Sequence, residues 1–270
     1  NWEGFVPNLE YKDYVEQWSI PQGIGKISSS DREHTHRMYR FEYKNYKLQR
    51  VSHVNSLGTI IPDTESERYE RPIDIMFYYN DDNHLSRAKV MDNNGQVLYI
   101  KSYNEKLNTN GVWKQSVIFQ FNDDYGTENT IGNETVGYVD AFASNQNRGK
   151  ISRYLLEYDE NGYIKTLRYA GFQNIYVSDS HGIYGKQYVR DDKGRVIEEM
   201  YLAYDGSPKA TKWGMGKKLF YYDDNDNWSK SVYQTIDGQP ALDDTEGTGI
   251  CENVYDKYGN LTAQYFKNSE

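Results

Sequence analysis

The chain reads as an all-β protein, a repeat array of about seven β-hairpin units forming a long curled antiparallel sheet (a meander or open spiral), with a short N-terminal helix. Three observations predict this. A tight turn recurs at Tyr158-Asp159-Glu160-Asn161-Gly162, Asp191-Asp192-Lys193-Gly194, Tyr222-Asp223-Asp224-Asn225-Asp226 and Tyr255-Asp256-Lys257-Tyr258-Gly259, at spacings of 32, 32 and 33 residues. A second turn follows each first one after about twelve residues. Between them lie stretches of aromatic and branched residues, among which Tyr alone supplies 27 of the 270 residues.

The N-terminal segment reads differently from the rest. Tyr11, Tyr14, Val15 and Trp18 follow Pro7 and a candidate cap at Asn8 with the i, i+3, i+4, i+7 spacing of a helix. A short amphipathic helix over Asn8 to Trp18 is expected. Residues 1–22 then form a helical cap or lead-in that shields the first repeat's edge, and residues 23–270 form the repeat domain. A partner-binding helix is the other use of such a segment.

Degenerate units come next. Tyr46 pairs with Gly58, Asn83 with Gly95, Gly126 with the region of Gly137 and Tyr138, and Gly162 with Asn174. Their spacings of 37, 43 and 36 residues are looser, so insertions are expected between strands. The longest, over residues 57–72, is charged and contains Pro, as a surface loop would.

The regular units follow. An Asp that can accept from backbone N–H groups two residues on, with Gly in the left-handed conformation closing the turn, suits a hairpin tip. Asp159 with Gly162, Asp191 with Gly194, Asp223, and Asp256 with Gly259 occupy these positions. The second turns carry Asp205-Gly206 and Asp237-Gly238, each followed by Pro two residues later. The stretch Arg195 to Tyr204 provides one strand, and Lys217 to Tyr222 the strand that enters the next tip. Two strands per unit argue for the meander. A β-propeller is the alternative, but the segment 209–216 is too short and Gly-rich to supply the two further strands of a blade. The last tip ends at Gly259, so its partner turn falls just past Glu270; the array is expected to stop within a unit, truncated at its C-terminal end.

Composition suits a thin structure. The hydrophobic class is 37% and much of it is Tyr, while mean hydropathy is −0.92. Tyr rings can pack along a sheet and keep the hydroxyl wet, so cross-strand Tyr ladders are the expected stabiliser. The balance of 31 basic to 40 acidic residues gives a net charge of −9, which disfavours a nucleic-acid surface. No apolar stretch is long enough for a membrane span. A single cysteine, Cys251, rules out an internal disulfide framework and reads as a small strand residue. The chain begins at Asn1 without Met or an apolar leader, as a mature product or an excised segment would.

The motif Tyr-Asp-x-x-Gly-x-hydrophobic, present over Tyr158 to Ile164 and Tyr255 to Leu261 and in partial form over Arg190 to Val196, resembles the YD repeats of bacterial RHS-type surface and toxin-carrier proteins. The resemblance covers roughly residues 154–266. It implies a spiralling β-sheet scaffold on an exported bacterial protein, extracytoplasmic and non-catalytic. The period and the Asp-Gly-x-Pro second turn depart from the shorter YD unit. The Tyr-rich hairpins are also similar, more weakly, to cell-wall-binding repeats, whose Gly-Trp signature appears here only inverted, as Trp213-Gly214.

Chemistry-bearing patterns are sparse. His34 and His36 could share one side of a strand, but a third metal ligand is not near in sequence. The acidic run Asp223 to Asn227 is similar to a calcium loop, yet Trp228 stands where that loop needs Gly, so hairpin capping explains it better. No nucleophile elbow, metalloprotease helix, phosphate loop or dinucleotide fingerprint occurs. An enzyme is therefore not expected, and neither a cofactor nor a metal is called for. A binding or scaffolding role remains, toward a cell-surface glycan or a protein, with an accessory domain of a carbohydrate-active enzyme or a pure spacer as alternatives. Trp113, Trp213 and Trp228 lie in or near inter-repeat loops, where exposed rings could stack on sugars.

Overall fold

The computed structural model describes residues 8–61, 74–121, 151–179, 181–243 and 247–268. The expected Gly126 and Gly137 turns, and most of the expected loop over 57–72, lie outside these. Among the described residues seventeen antiparallel strands form one open sheet. The first strands are β1 (Leu9–Gln17), β2 (Ile20–Lys26), β3 (Met38–Lys44), β4 (Lys47–Val54), β5 (Asp74–Tyr79), β6 (Leu85–Met91) and β7 (Val97–Tyr103). They continue with β8 (Leu107–Thr109), β9 (Val112–Phe121), β10 (Arg153–Tyr158), β11 (Ile164–Ala170), β12 (Gly185–Arg190) and β13 (Val196–Tyr201). The last four are β14 (Lys217–Tyr222), β15 (Trp228–Gln234), β16 (Ile250–Tyr255) and β17 (Leu261–Lys267).

The pairing is a meander with one excursion. β1 sits between β2 and β3, and from β3 onward each strand pairs with the next, except that β7 and the short β8 both pair with β9. Among the described residues β2 is therefore one edge of the sheet and β17 the other. The expected hairpin meander is the observed architecture, and the propeller is not.

A single device is repeated through it. In seven hairpins the register slips by one residue just after the tip, as at Arg190↔Val196 against Val189↔Glu198. In six of them the bulge follows from the turn, a type I reversal closed by a left-handed residue that leaves one extra residue on the outgoing strand; the β3–β4 hairpin instead turns on two left-handed residues, Asn45 and Tyr46, between the paired Lys44 and Lys47. Where the extra residue is Ser86, Ser229 or Thr262, its hydroxyl donates to the carbonyl of Tyr78, Tyr221 or Val254 across the hairpin, at 3.1, 3.2 and 3.0 Å. The side chain thus replaces a ladder bond lost at the bulge.

The expected N-terminal helix is absent: residues 9–17 are strand β1, and the described residues contain no α-helix, only two 3-10 turns. The reason is tertiary. Tyr11 and Tyr14, three positions apart, both pack edge-on to Phe41, at 5.0 and 6.3 Å, so β1 does not keep the period-two pattern that marks a strand. Pairing with β2 and β3 places Tyr11 edge-on to Phe41 at 5.0 Å and Tyr14 edge-on to Tyr39 at 5.0 Å. Trp18 and Ser19, with φ of 52° and 64°, form the turn into β2.

Side chains alternate between the two faces. Tyr158, Tyr169, Tyr201 and Tyr233 are buried on one face and join a core with Tyr14, Phe41 and Tyr99. On the other face Val189, Ile197, Tyr221 and Val254 remain exposed. The Tyr ladder faces inward, and its hydroxyls find partners: Tyr222 donates to the Val196 carbonyl at 3.0 Å and Tyr255 to the Trp228 carbonyl at 2.9 Å.

Candidate functional site

The distinctive site is the row of hairpin tips and the N-terminal strand that crosses it. Each tip is built from the same hydrogen bonds. Asp159 Oδ1 accepts from the backbone N–H of Asn161 and of Tyr163, both at 2.9 Å. Asp191, Asp223 and Asp256 accept likewise from residues two and four positions on. Gly162, Gly194 and Gly259 hold φ of +85°, +80° and +87° at the fourth position. In the third of these tips the left-handed residue is Asp226, with φ of +66°; Asn and Asp tolerate this conformation better than other side chains do. The second turns also close on left-handed glycines, Gly206 at +88° and Gly238 at +86°, but begin at Ala203 and Thr235; Thr235 Oγ1 accepts from Gln239 N–H at 3.0 Å, and Asp205, third in its turn, accepts from Ser207 N–H at 3.0 Å.

Neighbouring tips lock together. Asp226 is met by Lys193 and by Arg195 Nη1, the latter at 2.9 Å, and Arg195 also pairs with Asp191 at 2.6 Å. The Arg195 guanidinium lies over the Tyr222 ring at 4.2 Å. Arg190 donates to the Gly194 carbonyl at 2.9 Å, and burial pushes its pKa down, with Tyr188 and Glu16 acting against that.

The N-terminal segment then runs along this row. Trp18 N–H donates to the Gly162 carbonyl at 2.7 Å, and Gln17 Nε2 to the Asn161 carbonyl at 2.6 Å. Lys12 Nζ reaches the Asn225 carbonyl at 3.3 Å. Between β2 and β3, His34 stacks on Tyr258 at 4.6 Å, while Asn260 accepts from His36 N–H at 2.7 Å and donates to the His34 carbonyl at 2.8 Å. His34 and His36 are thus engaged with the last tip. Among the described residues no group of three His, Cys, Asp or Glu side chains could hold a metal ion.

Two internal features result. Around the β1–β2 turn, the hydroxyls of Ser19 and Tyr158 meet at 2.6 Å and Tyr158 donates to Gln115 Oε1 at 2.6 Å. Burial raises the Tyr158, Tyr99 and Tyr103 phenols well above the ordinary tyrosine value, and the nearby Glu16 carboxylate adds to each. A recess of about 60 Å³ opens farther along the seam, lined by Lys12, Asp13, Arg37, His53, Asp226 and Trp228 among others. It has room for a few waters rather than for a sugar.

The three tryptophans are not brought together. Trp113, at the start of β9, is partly exposed and lies edge-on to Trp18 at 5.7 Å. Trp213 is 60% exposed on a turn between β13 and β14, with Lys212 Nζ 5.1 Å from its ring centre. Trp228 is buried, its Nε1 donating to the Lys230 carbonyl at 3.0 Å, so its ring is not available for stacking. Sequence reading missed Lys12 and Asn260, because nothing local marks a partner more than 200 positions away. It also missed a third turn per unit, at Asp179–Gly182 and Thr211–Gly214, although Gly182 and Gly214 signal it.

Fold and site together define a β-hairpin repeat coil whose tips are bridged by its own first strand. No family model and no curated protein matches the chain. A crystal structure of TcdB2-TccC3 without its hypervariable C-terminal region is 13% identical and aligns with 95% of this chain but 15% of that one, at a TM-score of 0.23. At that score the architecture rests on the geometry described above.

Proposed function

We infer that the chain is a non-catalytic scaffold module of an exported bacterial protein, holding neighbouring parts at fixed positions rather than enclosing a small ligand. The observation that carries this reading is the use of the tip residues. Carboxylates that could serve chemistry, Asp159, Asp191, Asp223 and Asp256, are occupied by backbone N–H groups of their own turns. The seam recess, at about 60 Å³, falls far below the roughly 300 Å³ at which ligand pockets begin. The likeness of the tip motif to YD repeats supports the exported, scaffolding context.

Glycan recognition is the rival reading, and exposed Trp213 favours it. A glycan array probed with the labelled protein separates the two. The scaffold reading expects no saccharide signal above that of a Trp113→Ala/Trp213→Ala variant. A specific signal lost in that variant overturns it.

A further inference from the structure

Backbone hydrogen bonds align the regular units residue by residue. Tyr169, Tyr201 and Tyr233 each donate a backbone N–H to the residue before the next strand, Tyr184, Gly216 and Gly249, at 3.0, 3.1 and 2.9 Å. Their carbonyls accept from Val177, Lys209 and Ala241 at 3.1, 2.9 and 3.0 Å. The bridges Ala170↔Tyr176, Leu202↔Pro208 and Gln234↔Pro240 repeat in step with these. In this alignment Arg168 stands where later units have Met200 and Val232, and Tyr176 where they have Pro208 and Pro240. Tyr184 stands where they have Gly216 and Gly249, Lys209 where its neighbours have Val177 and Ala241, and Tyr204 where the next unit has Ile236. The repeat backbone thus forms without aromatic or basic side chains at these places.

These departures from the repeat meet at one corner. Tyr204 lies edge-on to Tyr176 at 5.8 Å and to Tyr184 at 5.4 Å. The buried Arg168 holds its guanidinium over the Tyr176 ring at 4.4 Å. Its Nε donates to the Tyr184 carbonyl at 3.2 Å and its Nη2 to the carbonyls of Ala203 and Tyr204 at 2.9 and 2.7 Å, leaving Nη1 without an acceptor among the described residues. Lys209 Nζ lies 5.6 Å from the centre of the Tyr184 ring. Neither cation has an ion pair among the described residues. Asp205 is the carboxylate that Arg168 influences, and its Oδ1 is taken by the N–H and Oγ of Ser207 at 3.0 and 2.7 Å. Lys114, also near Tyr176, is neutralised by Glu157 at 2.8 Å. In a chain of net charge −9 the corner is a local excess of positive charge.

We propose that this corner is a docking surface for an extended acidic segment of a partner protein, its carboxylates meeting Arg168 and Lys209 and its apolar side chains lying against Tyr204, which is 59% exposed. The proposal rests on the scaffold reading and names how a neighbouring part is held. Charge complementarity selects the sign of the partner, because cations fixed by rings and carbonyls, with no carboxylate of their own, are matched by carboxylates from outside. Ring geometry selects a peptide over an acidic glycan. Interplanar angles of 78° and 89° leave the three rings without a shared plane on which saccharide rings could stack, and Arg168 covers one face of Tyr176. Rings set at steep angles suit an extended peptide, whose side chains alternate in direction.

Fluorescence anisotropy of the full chain with labelled probes tests this. The probes are peptides of alternating glutamate and proline, of alternating glutamine and proline, and an oligogalacturonate as the acidic glycan. The expected result is binding of the glutamate peptide alone, weakening as salt is raised. Arg168→Met, and Lys209→Ala combined with Tyr204→Ile, install the residues that neighbouring units carry, so the repeat backbone is kept. Each weakens binding by at least about tenfold. No binding of the glutamate peptide, equal binding of the glutamine peptide, or binding unchanged in both variants overturns the proposal and leaves the scaffold reading standing. An oligogalacturonate bound more tightly than the peptide overturns both.

Discussion

The indole of Trp18 fills the place a Gly162 side chain would occupy: an ideal Cβ on Gly162 lies 2.3 Å from the indole Cε2 and Nε1, and the Trp18 N–H closes the contact on the Gly162 carbonyl at 2.7 Å. A turn glycine required by backbone conformation is here also required by a residue 144 positions earlier. Gly162→Ala therefore combines left-handed strain with overpacking and is expected to destabilise by about 2–4 kcal/mol. Gly238→Ala has the same backbone conformation, φ +86°, but open space around it, and is expected to cost only about 1–2 kcal/mol. Urea unfolding of the two variants measures the difference; equal losses would show that Trp18 does not press on the tip.

Asn260 joins the last tip to the segment before β3. Its side chain accepts from His36 and donates to the His34 carbonyl and to Asp256 Oδ2, at 2.7, 2.8 and 2.8 Å. Asn260→Ala leaves those partners unmatched and is expected to destabilise by about 1–3 kcal/mol. Hydrogen exchange should quicken at His36, over 200 residues away in sequence, and unchanged exchange there would count against the bridge.

Acid and alkali act on different groups. Burial works against the Asp256 carboxylate, but the Asn260 side chain and the backbone N–H groups of its turn hold its pKa below the ordinary value. Ser207 lowers Asp205 and Lys267 lowers Glu252. These groups bind fewer protons folded than unfolded, so their contribution is complete above about pH 4 and is lost as pH falls through the depressed folded values. Tyr79, pushed up to about 12 by burial, and Tyr99, Tyr103 and Tyr158 behave oppositely. Above about pH 10 the unfolded chain releases phenolic protons that the folded chain keeps, so stability declines from there upward. Tyrosinate absorbance followed with circular dichroism should show these phenols ionising only as the fold is lost.

Lys186 and Glu199 form a buried ion pair at 3.3 Å on the inner face, and Glu199 is also the register partner of Lys218. Lys186→Met alone removes one partner of a buried pair and is expected to cost about 3–5 kcal/mol. The double variant Lys186→Met/Glu199→Leu should recover a large part of that loss. Thermal unfolding of the two single variants and the double completes the cycle, and additive losses would show the pair to be uncoupled.

The hairpin grammar was legible before any coordinates. Asp at the first turn position and Gly at the fourth specify the reversal within five residues, and the backbone obeys at Gly162, Gly194 and Gly259; the turns at Gly206 and Gly238 close the same way on Ala203 and Thr235, with Asp205 and Asp237 third. The one-residue bulge after each tip is a consequence of that turn, so it too is encoded locally. The N-terminal strand carries a helical period because Tyr11 and Tyr14, three positions apart, both pack on Phe41, so the alternation of a strand is lost and Tyr11, Tyr14, Val15 and Trp18 match i, i+3, i+4, i+7. Trp228 reads as a loop residue but begins β15 opposite Tyr222, and its ring is buried beside Phe220 and the Lys218 ammonium.

The amino-acid sequence alone determined the repeat, its period, the turn chemistry and the all-β class, since each depends on residues within one hairpin. Only the tertiary structure decided that β1 crosses the tips and that Glu16 approaches Tyr99, Tyr103 and Tyr158. Those outcomes depend on how far the sheet curls. Curl accumulates from small twists at every strand pair, and no single stretch of residues records their sum.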